Sequence, residues 1–296
     1  MDKGRWSMKV LTSTKDLPCE DWLRYRKQGI GGSDAGAICG VNPYASAAAV
    51  YTDKTSPDVK LQDNEAMRQG RDLEDYVAQR FTEATGLKVR RSNKMYQHDD
   101  YPFMIADIDR TIVGVNAGLE CKTASAFSYD KWKQIETVPE HYIIQCCHYM
   151  AVMDWDYMYL ACVILGKDFM YYRVDRDEEM IRHLISIEKS FWEEYVMKNQ
   201  LPPPDGSRDY DSLIGGDYFN PQKDSKIPLI GMDQELHRRA DINQLITRLE
   251  KEKREIDQKL KLFMQDHEVA ENERYKITWK YSETTGQRRF VVKEVA

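Results

Sequence analysis

Residues 102–123, PFMIADIDRTIVGVNAGLECKT, constrain the fold more than any other stretch of the chain. The apolar run Phe103 to Ile108 reads as a strand ending in Asp109. Gly114 to Gly118 reads as a turn and Leu119 to Thr123 as a second strand, so the pair predicts a hairpin. Residues two apart on a strand share a face, which puts Glu120 and Lys122 side by side. Two carboxylates across a hairpin, Asp109 and Glu120, can hold Mg²⁺, a hard cation that takes oxygen ligands. The Lys122 ammonium can orient or deprotonate a water beside them and offset charge on a phosphate. This is the chemistry of metal-assisted phosphodiester hydrolysis. A plainer reading uses the same letters. Glu-x-Lys occurs about once in 300 residues at average composition, and cross-strand ion pairs on a solvated face need the same side chains.

The rest of the chain narrows the choice. With 296 residues, 42% of them hydrophobic and 31% charged, it can hold one large domain, or one domain with an appendage. No apolar run approaches the ~18 residues that span a bilayer, and MDKGRWSMKVLTSTK lacks the apolar core of a signal peptide. The six cysteines (19, 39, 121, 146, 147 and 162) show no CxxC spacing, which argues against zinc ribbons, ferredoxin-type clusters and disulfide frameworks. Reduced thiols and a cytoplasmic location are expected, in a bacterial host if the gene is carried by a phage or prophage. A net charge of −6 excludes electrostatic coating of nucleic acid but leaves room for an enzyme with a local basic channel. Lys88, Arg90, Arg91 and Lys94 form one basic stretch, and Arg24, Arg26 and Lys27 another; each also reads as a solvated face.

Helices are expected over 20–28, after Ser33 or Asp34 through Ile38, from an N-cap at Ser46 to Tyr51, and over 64–85, with Gly86 closing the last. In that last helix Leu73, Val77, Phe81 and Ala84 make one stripe. Strands follow at 88–97, 102–109 and 118–123. Pro139 opens a helix to Met153; two strands at 157–165 and 168–174 hinge at Gly166, and a helix runs over 176–198. The order predicts a mixed α/β core of about 200 residues, not a doubly wound repeat. LPPPDGSRDYDSL begins a linker over 201–230. Beyond it, 231–296 reads as a coiled-coil-like helical arm over 232–265 with two short terminal strands.

Three further pieces bear on chemistry. Glu74 flanks the buried stripe of its helix and can aim a carboxylate into a cleft, although an exposed helical Glu looks the same. Gln145 and Tyr149 lie one turn apart on a largely apolar helix, and a buried Gln needs polar partners. His148 beside them reads as a packing histidine. Arg26 precedes a Gly-rich turn, and Ser33 stands at a helix N-terminus, which together make a plausible phosphate pocket. It is not a Walker loop, since no GKS or GKT follows.

Taken in order, Arg–GGSDA, G-x-x-LE, D-x(10)-E-x-K and Q-x-x-x-Y resemble the YqaJ-type viral recombinases, relatives of phage lambda exonuclease in the PD-(D/E)XK nuclease superfamily. The resemblance covers residues 20–200. It implies a restriction-endonuclease-like core that degrades one strand of linear duplex DNA 5′→3′ and leaves a 3′ overhang for a single-strand annealing protein. Asp109, Glu120 and the Cys121 carbonyl would hold one Mg²⁺ and Glu74 would serve a second, with Mn²⁺ able to substitute. Lys122 would position or activate the attacking water, with Gln145 orienting that water or the phosphate. Arg26 and Ser33 would take the terminal 5′-phosphate, Tyr149 would line the same substrate site, and the chain would form a homo-oligomer, often a trimeric ring around DNA. Asp107 departs from the pattern, standing where the lambda enzyme has a serine. A second phosphate-binding arginine after the lysine has no clear counterpart, and the arm has none in the lambda enzyme. Two other functions fit these residues: an endonuclease of the same superfamily, and a non-catalytic DNA-end-binding module.

Overall fold

The computed structural model describes residues 7–58 and 64–294. The chain divides into two compact units, Met1–Pro221 and Gln222–Ala296. The first contains β1 (Met8–Ser13), α1 (Cys19–Arg26), α2 (Gly32–Ile38), α3 (Ala47–Thr55), α4 (Glu65–Thr85), β2 (Val89–Arg91) and β3 (Lys94–His98). It continues with β4 (Ile105–Asp107), β5 (Arg110–Ile112), β6 (Ala117–Ala124), α5 (Glu140–Met153), β7 (Tyr157–Ile164), β8 (Asp168–Asp175), α6 (Glu178–Phe191) and α7 (Arg208–Asp217). This is a mixed α/β architecture.

The central sheet has the order β2-β5-β6-β7-β8. Only the β6–β7 pair is parallel; β2–β5, β5–β6 and β7–β8 run antiparallel. Side chains alternate across β6 as the two-residue period requires. Ala117 and Leu119 join Val77, Ala78 and Phe81 of α4 in one apolar cluster. Gly118 and Glu120 face the other way. Gly118 lies against Trp155, whose ring would sit 2.0 Å from any Cβ placed there, and Glu120 meets α5. α5 is buried along most of its length and packs into the larger cluster with β7 and α6.

Local signals placed the helices. Asn64 caps α4 by accepting from the Met67 N–H at 3.0 Å, and Gly86 ends it in the left-handed region at φ 73°. Ser46 caps α3, while α2 has Gly31 at its N-cap, two residues ahead of Ser33 and three ahead of Asp34. In α4, Ala78 rather than Ala84 completes the buried stripe with Val77 and Phe81.

The expected hairpin forms with a different first strand. β6 pairs with β5, Arg110 opposite Leu119 and Thr111 opposite Gly118. The apolar run before Asp109 instead supplies β4 to a separate sheet of order β1-β3-β4. Met104, Ala106 and Ile108 there are buried in the large cluster, a burial that pairing with β6 would not provide. Asp109 therefore sits where the chain leaves one sheet for the other. The strand expected over 88–97 is likewise two, β2 and β3, broken at Asn93 with φ 51°.

Within 201–230, α7 is anchored by Asp209, whose carboxylate accepts from Ser46 N–H at 3.1 Å and Oγ at 3.0 Å. The second unit consists of α8 (Asp233–Met264) and a sheet of order β11-β10-β9, formed by β9 (Val269–Glu271), β10 (Tyr275–Ser282) and β11 (Gln287–Glu294). β9 is one strand more than the sequence suggested. Among the described residues, no helix is long and apolar enough to cross a membrane.

Candidate active site

β6 and α5 build the centre of the site. Glu120, 3% exposed, accepts through Oε1 from Lys122 Nζ at 2.7 Å and from Gln145 Nε2 at 2.7 Å. Its other oxygen is buried and accepts no hydrogen bond, an arrangement that costs desolvation with nothing to offset it. Asp109 reaches the same place from the sheet junction, its Oδ2 accepting from the Cys121 N–H at 2.7 Å. Burial, then repulsion from Glu120 and Glu74, holds the Asp109 carboxyl well above the usual carboxylate range. Burial raises Glu120 too, against the pull of Lys122. Burial alone would favour a neutral Lys122 amine, but Glu120 and Asp109 outweigh it and hold the ammonium above its ordinary range. The Tyr142 ring underlies that ammonium at 5.0 Å.

A hydrogen-bonded path leads from this centre to the Gly-rich turn. Gln145 donates to the Tyr149 hydroxyl at 3.3 Å, and Tyr149 donates to the Asp107 carbonyl at 3.0 Å. The Asp107 carboxylate accepts from Trp22 Nε1 at 2.6 Å, which ties it to α1. Trp22 in turn underlies the Arg26 guanidinium at 5.0 Å. Arg26 donates to Ser33 Oγ at 2.9 Å and lies 3.4 Å from Asp34. Asp34 is gripped by Lys54 at 2.8 Å and by the Gly31 N–H at 2.9 Å. These partners outweigh burial and depress its carboxyl to about 2. Gly32 is required where α2 crosses α5, because a Cβ there would meet the Tyr149 ring at 2.7 Å and Gln145 at 3.0 Å.

Thus Asp109, Glu120, Lys122, Gln145 and Tyr149 come together, with Arg26 and Ser33 connected to them through Asp107. Glu74 is placed differently. Its carboxylate is bonded to Arg110, which also donates to the Asp109 carbonyl at 2.7 Å and to Asp75 at 2.6 Å. Among the described residues, no three His, Cys, Asp or Glu side chains are arranged to hold a metal ion. The unpartnered Glu120 oxygen and its repulsion with Asp109 nevertheless fit a bound cation at that pair.

Sequence reasoning missed Arg110, Lys54 and Trp22. Arg110 reads as one more polar residue of a strand, although it is 3% exposed. Its signal was a charge between the apolar residues Ile108 and Ile112, with nothing local to name its partners. His148 fits its expected packing role: it lies buried between Glu188, 2.8 Å from Nδ1, and the Ile105 carbonyl, 2.9 Å from Nε2. Glu188 outweighs burial to raise its pKa; both neighbours are acceptors, so a doubly protonated ring satisfies each.

Residues 21–156 match the family of the YqaJ-like viral recombinase domain. The Uncharacterized protein YqaJ of Bacillus subtilis (strain 168) is 34% identical over 275 residues, covering 92% of this chain and 86% of the relative. Among solved structures, the alkaline exonuclease LHK-Exo from Laribacter hongkongensis superimposes with a TM-score of 0.51. The match has 18% identity and covers 60% of this chain and 93% of that one. The same enzyme in complex with dAMP gives the same figures. At that identity the likeness is one of fold.

Proposed function

The chain belongs to the YqaJ-like viral recombinase family, and on that premise we propose that it is a Mg²⁺-dependent exonuclease acting 5′→3′ on linear duplex DNA. The product is a 3′ single-stranded overhang for a strand-annealing protein in phage-type recombination. One observation carries the reading: Asp109, Glu120 and Lys122 converge with Gln145, and one buried Glu120 oxygen has no protein partner.

In this mechanism Asp109 and Glu120, with the Cys121 carbonyl, would hold one divalent ion, and Glu74 would serve a second. When bound, such ions stabilise charge on the attacking and leaving oxygens of the phosphodiester. The chain's own residues do the positioning. Lys122, fixed on Glu120, presents an ammonium that orients water and offsets charge on the phosphate. Gln145 bonds Glu120 through Nε2, which leaves its carbonyl to accept from a water. Arg26 and Ser33 take the terminal phosphate at one end of the Asp107–Tyr149–Gln145 path, while Tyr149 sets the distance between that end and the reacting centre. Mn²⁺ serves in place of Mg²⁺, since oxygen ligands accept both. A homo-oligomer, such as a trimeric ring enclosing DNA, would support processivity.

The test compares 5′-phosphorylated linear duplex DNA with a closed circle, in Mg²⁺ and in chelator. Nucleotide release from linear DNA alone, abolished by chelator, is the expected result. Cutting of the circle would make the protein an endonuclease. Binding of ends with no cleavage of either substrate would leave an end-binding module in its place.

A further inference from the structure

The second unit is the basic part of an acidic chain. Residues 222–296 carry sixteen Lys and Arg against fourteen Asp and Glu, although the chain as a whole has a net charge of −6. Over 274–293 the balance is six against one, Glu283. The β10–β11 ladder sorts these charges by face. Lys276 stands directly opposite Lys293, and Lys280 opposite Arg289, with Thr278 and Val291 between the pairs. Residues two apart on a strand share a side, so the four cations lie on one face, and all four are exposed. Among the ion pairs of the described residues, only Glu271 meets this face, 3.2 Å from Lys276. Like charges directly opposite on a sheet repel and cost stability. The other face carries Trp279, Tyr281 and Phe290. There the end of α8 meets the sheet: Lys261 lies 4.8 Å from the Phe290 ring, and Arg288 donates to the Gln265 and His267 carbonyls.

We propose that this face of the β10–β11 ribbon binds the phosphate backbone of duplex DNA without reading its sequence. A polyanion laid across two opposed cation pairs offsets their repulsion, and the cations release its counterions. The pairs stand four residues apart along the strand, roughly 13 Å, which is room for more than one phosphate. Single strands are held on aromatic side chains that stack with bases; this face has none, since its aromatic neighbours point the other way. Membrane surfaces take a broad apolar face beside the charge, and here only Val269, Thr278 and Val291 lie between the cations. The choice of DNA among polyanions rests on the reading of the first unit as a nuclease acting on duplex DNA. The charge pattern itself does not involve Asp109, Glu120 or Lys122.

The test follows the anisotropy of a labelled short duplex, closed by a hairpin loop at each end, as the full chain is added in chelator at several salt concentrations. This probe offers no free end, and the chelator separates binding from cleavage. Lys280→Gln/Arg289→Gln should lower the slope of log affinity against log salt by about two and weaken binding by about tenfold or more near ~0.1 M salt. It removes two charges that repel, so its melting midpoint should be no lower than that of the wild type. If it does not fold, Lys293→Gln alone should lower the slope by about one. Arg239→Gln/Lys251→Gln removes the same charge from exposed positions of α8 and should bind within about twofold of wild type. Unchanged slope and affinity in the folded face variants would overturn the proposal, as would an equal loss in the α8 variant. Tighter wild-type binding to a labelled single strand of the same length, or to phosphatidylserine vesicles with none to the duplex, would also overturn it. A wild type that binds the closed duplex through this face but releases no nucleotides from linear DNA in Mg²⁺ would sink the nuclease reading and leave the binding face standing.

Discussion

At the scale of single residues, the account depends on which charges have partners. Asp34 has three, from Lys54, Arg26 and the Gly31 N–H, and its carboxyl is depressed to about 2. Its ordinary value near 3.8 applies to the unfolded chain. Above about pH 4 both states are ionised and the full contribution, about 2 kcal/mol, is present. As pH falls from about 4 toward 2, the unfolded chain takes the proton first, and this stabilisation is lost. Asp34→Ala should cost about 3–5 kcal/mol at pH 7, because it takes the nearer carboxylate from the buried Lys54, and flatten the stability profile between pH 4 and 2, as urea denaturation at several pH values would show. An unchanged slope would remove Asp34 from the list of stabilising groups. Gly118→Ala should destabilise by about 2 kcal/mol or more by driving a methyl into Trp155, measured by the same method. The catalytic candidates were legible at this scale because Glu120, Lys122, Gln145 and Tyr149 obey the strand and helix periods. Arg110 was not, since its partners come from α4 and no periodicity couples position 110 to position 74.

At the scale of elements, legibility follows how local the signal is. α4 has its cap at Asn64, its stop at Gly86 and its apolar stripe within one window, so its existence could be read directly. Gly86→Ala should cost about 1 kcal/mol because φ 73° suits glycine, seen as a lower denaturation midpoint. The β5–β6 hairpin shows the opposite case. Its turn was visible, but which residues before the turn pair with β6 depends on β3 and on Ile30, which bridges to Met104, both distant in sequence. The apolar residues Met104, Ala106 and Ile108 around β4 are buried in the large core cluster. Asp109 thus sits at a junction between sheets, where its carboxylate is fixed by the Cys121 N–H.

At the scale of the whole molecule, the candidate site residues named above all lie within the unit Met1–Pro221. A chain ending at Pro221 should retain the central sheet, its cooperative melting and its nuclease activity on linear DNA; loss of folding would assign the second unit a structural role. The division after residue 221 was only partly legible. The proline-rich run at 202–204 marks a break in pattern, but α7 follows it and docks back through Asp209, a contact between residues far apart in sequence. Lys122 gives the most direct test of the central claim, because it bonds Glu120 and lies at the centre of the cluster. The measurement is nucleotide release from 5′-phosphorylated linear duplex DNA in Mg²⁺ by the wild-type chain and by Lys122→Ala, with binding to DNA ends followed in parallel. The account predicts release by the wild type, a loss of about a hundredfold or more in the variant, and end binding retained in both. Near wild-type release by Lys122→Ala would contradict it.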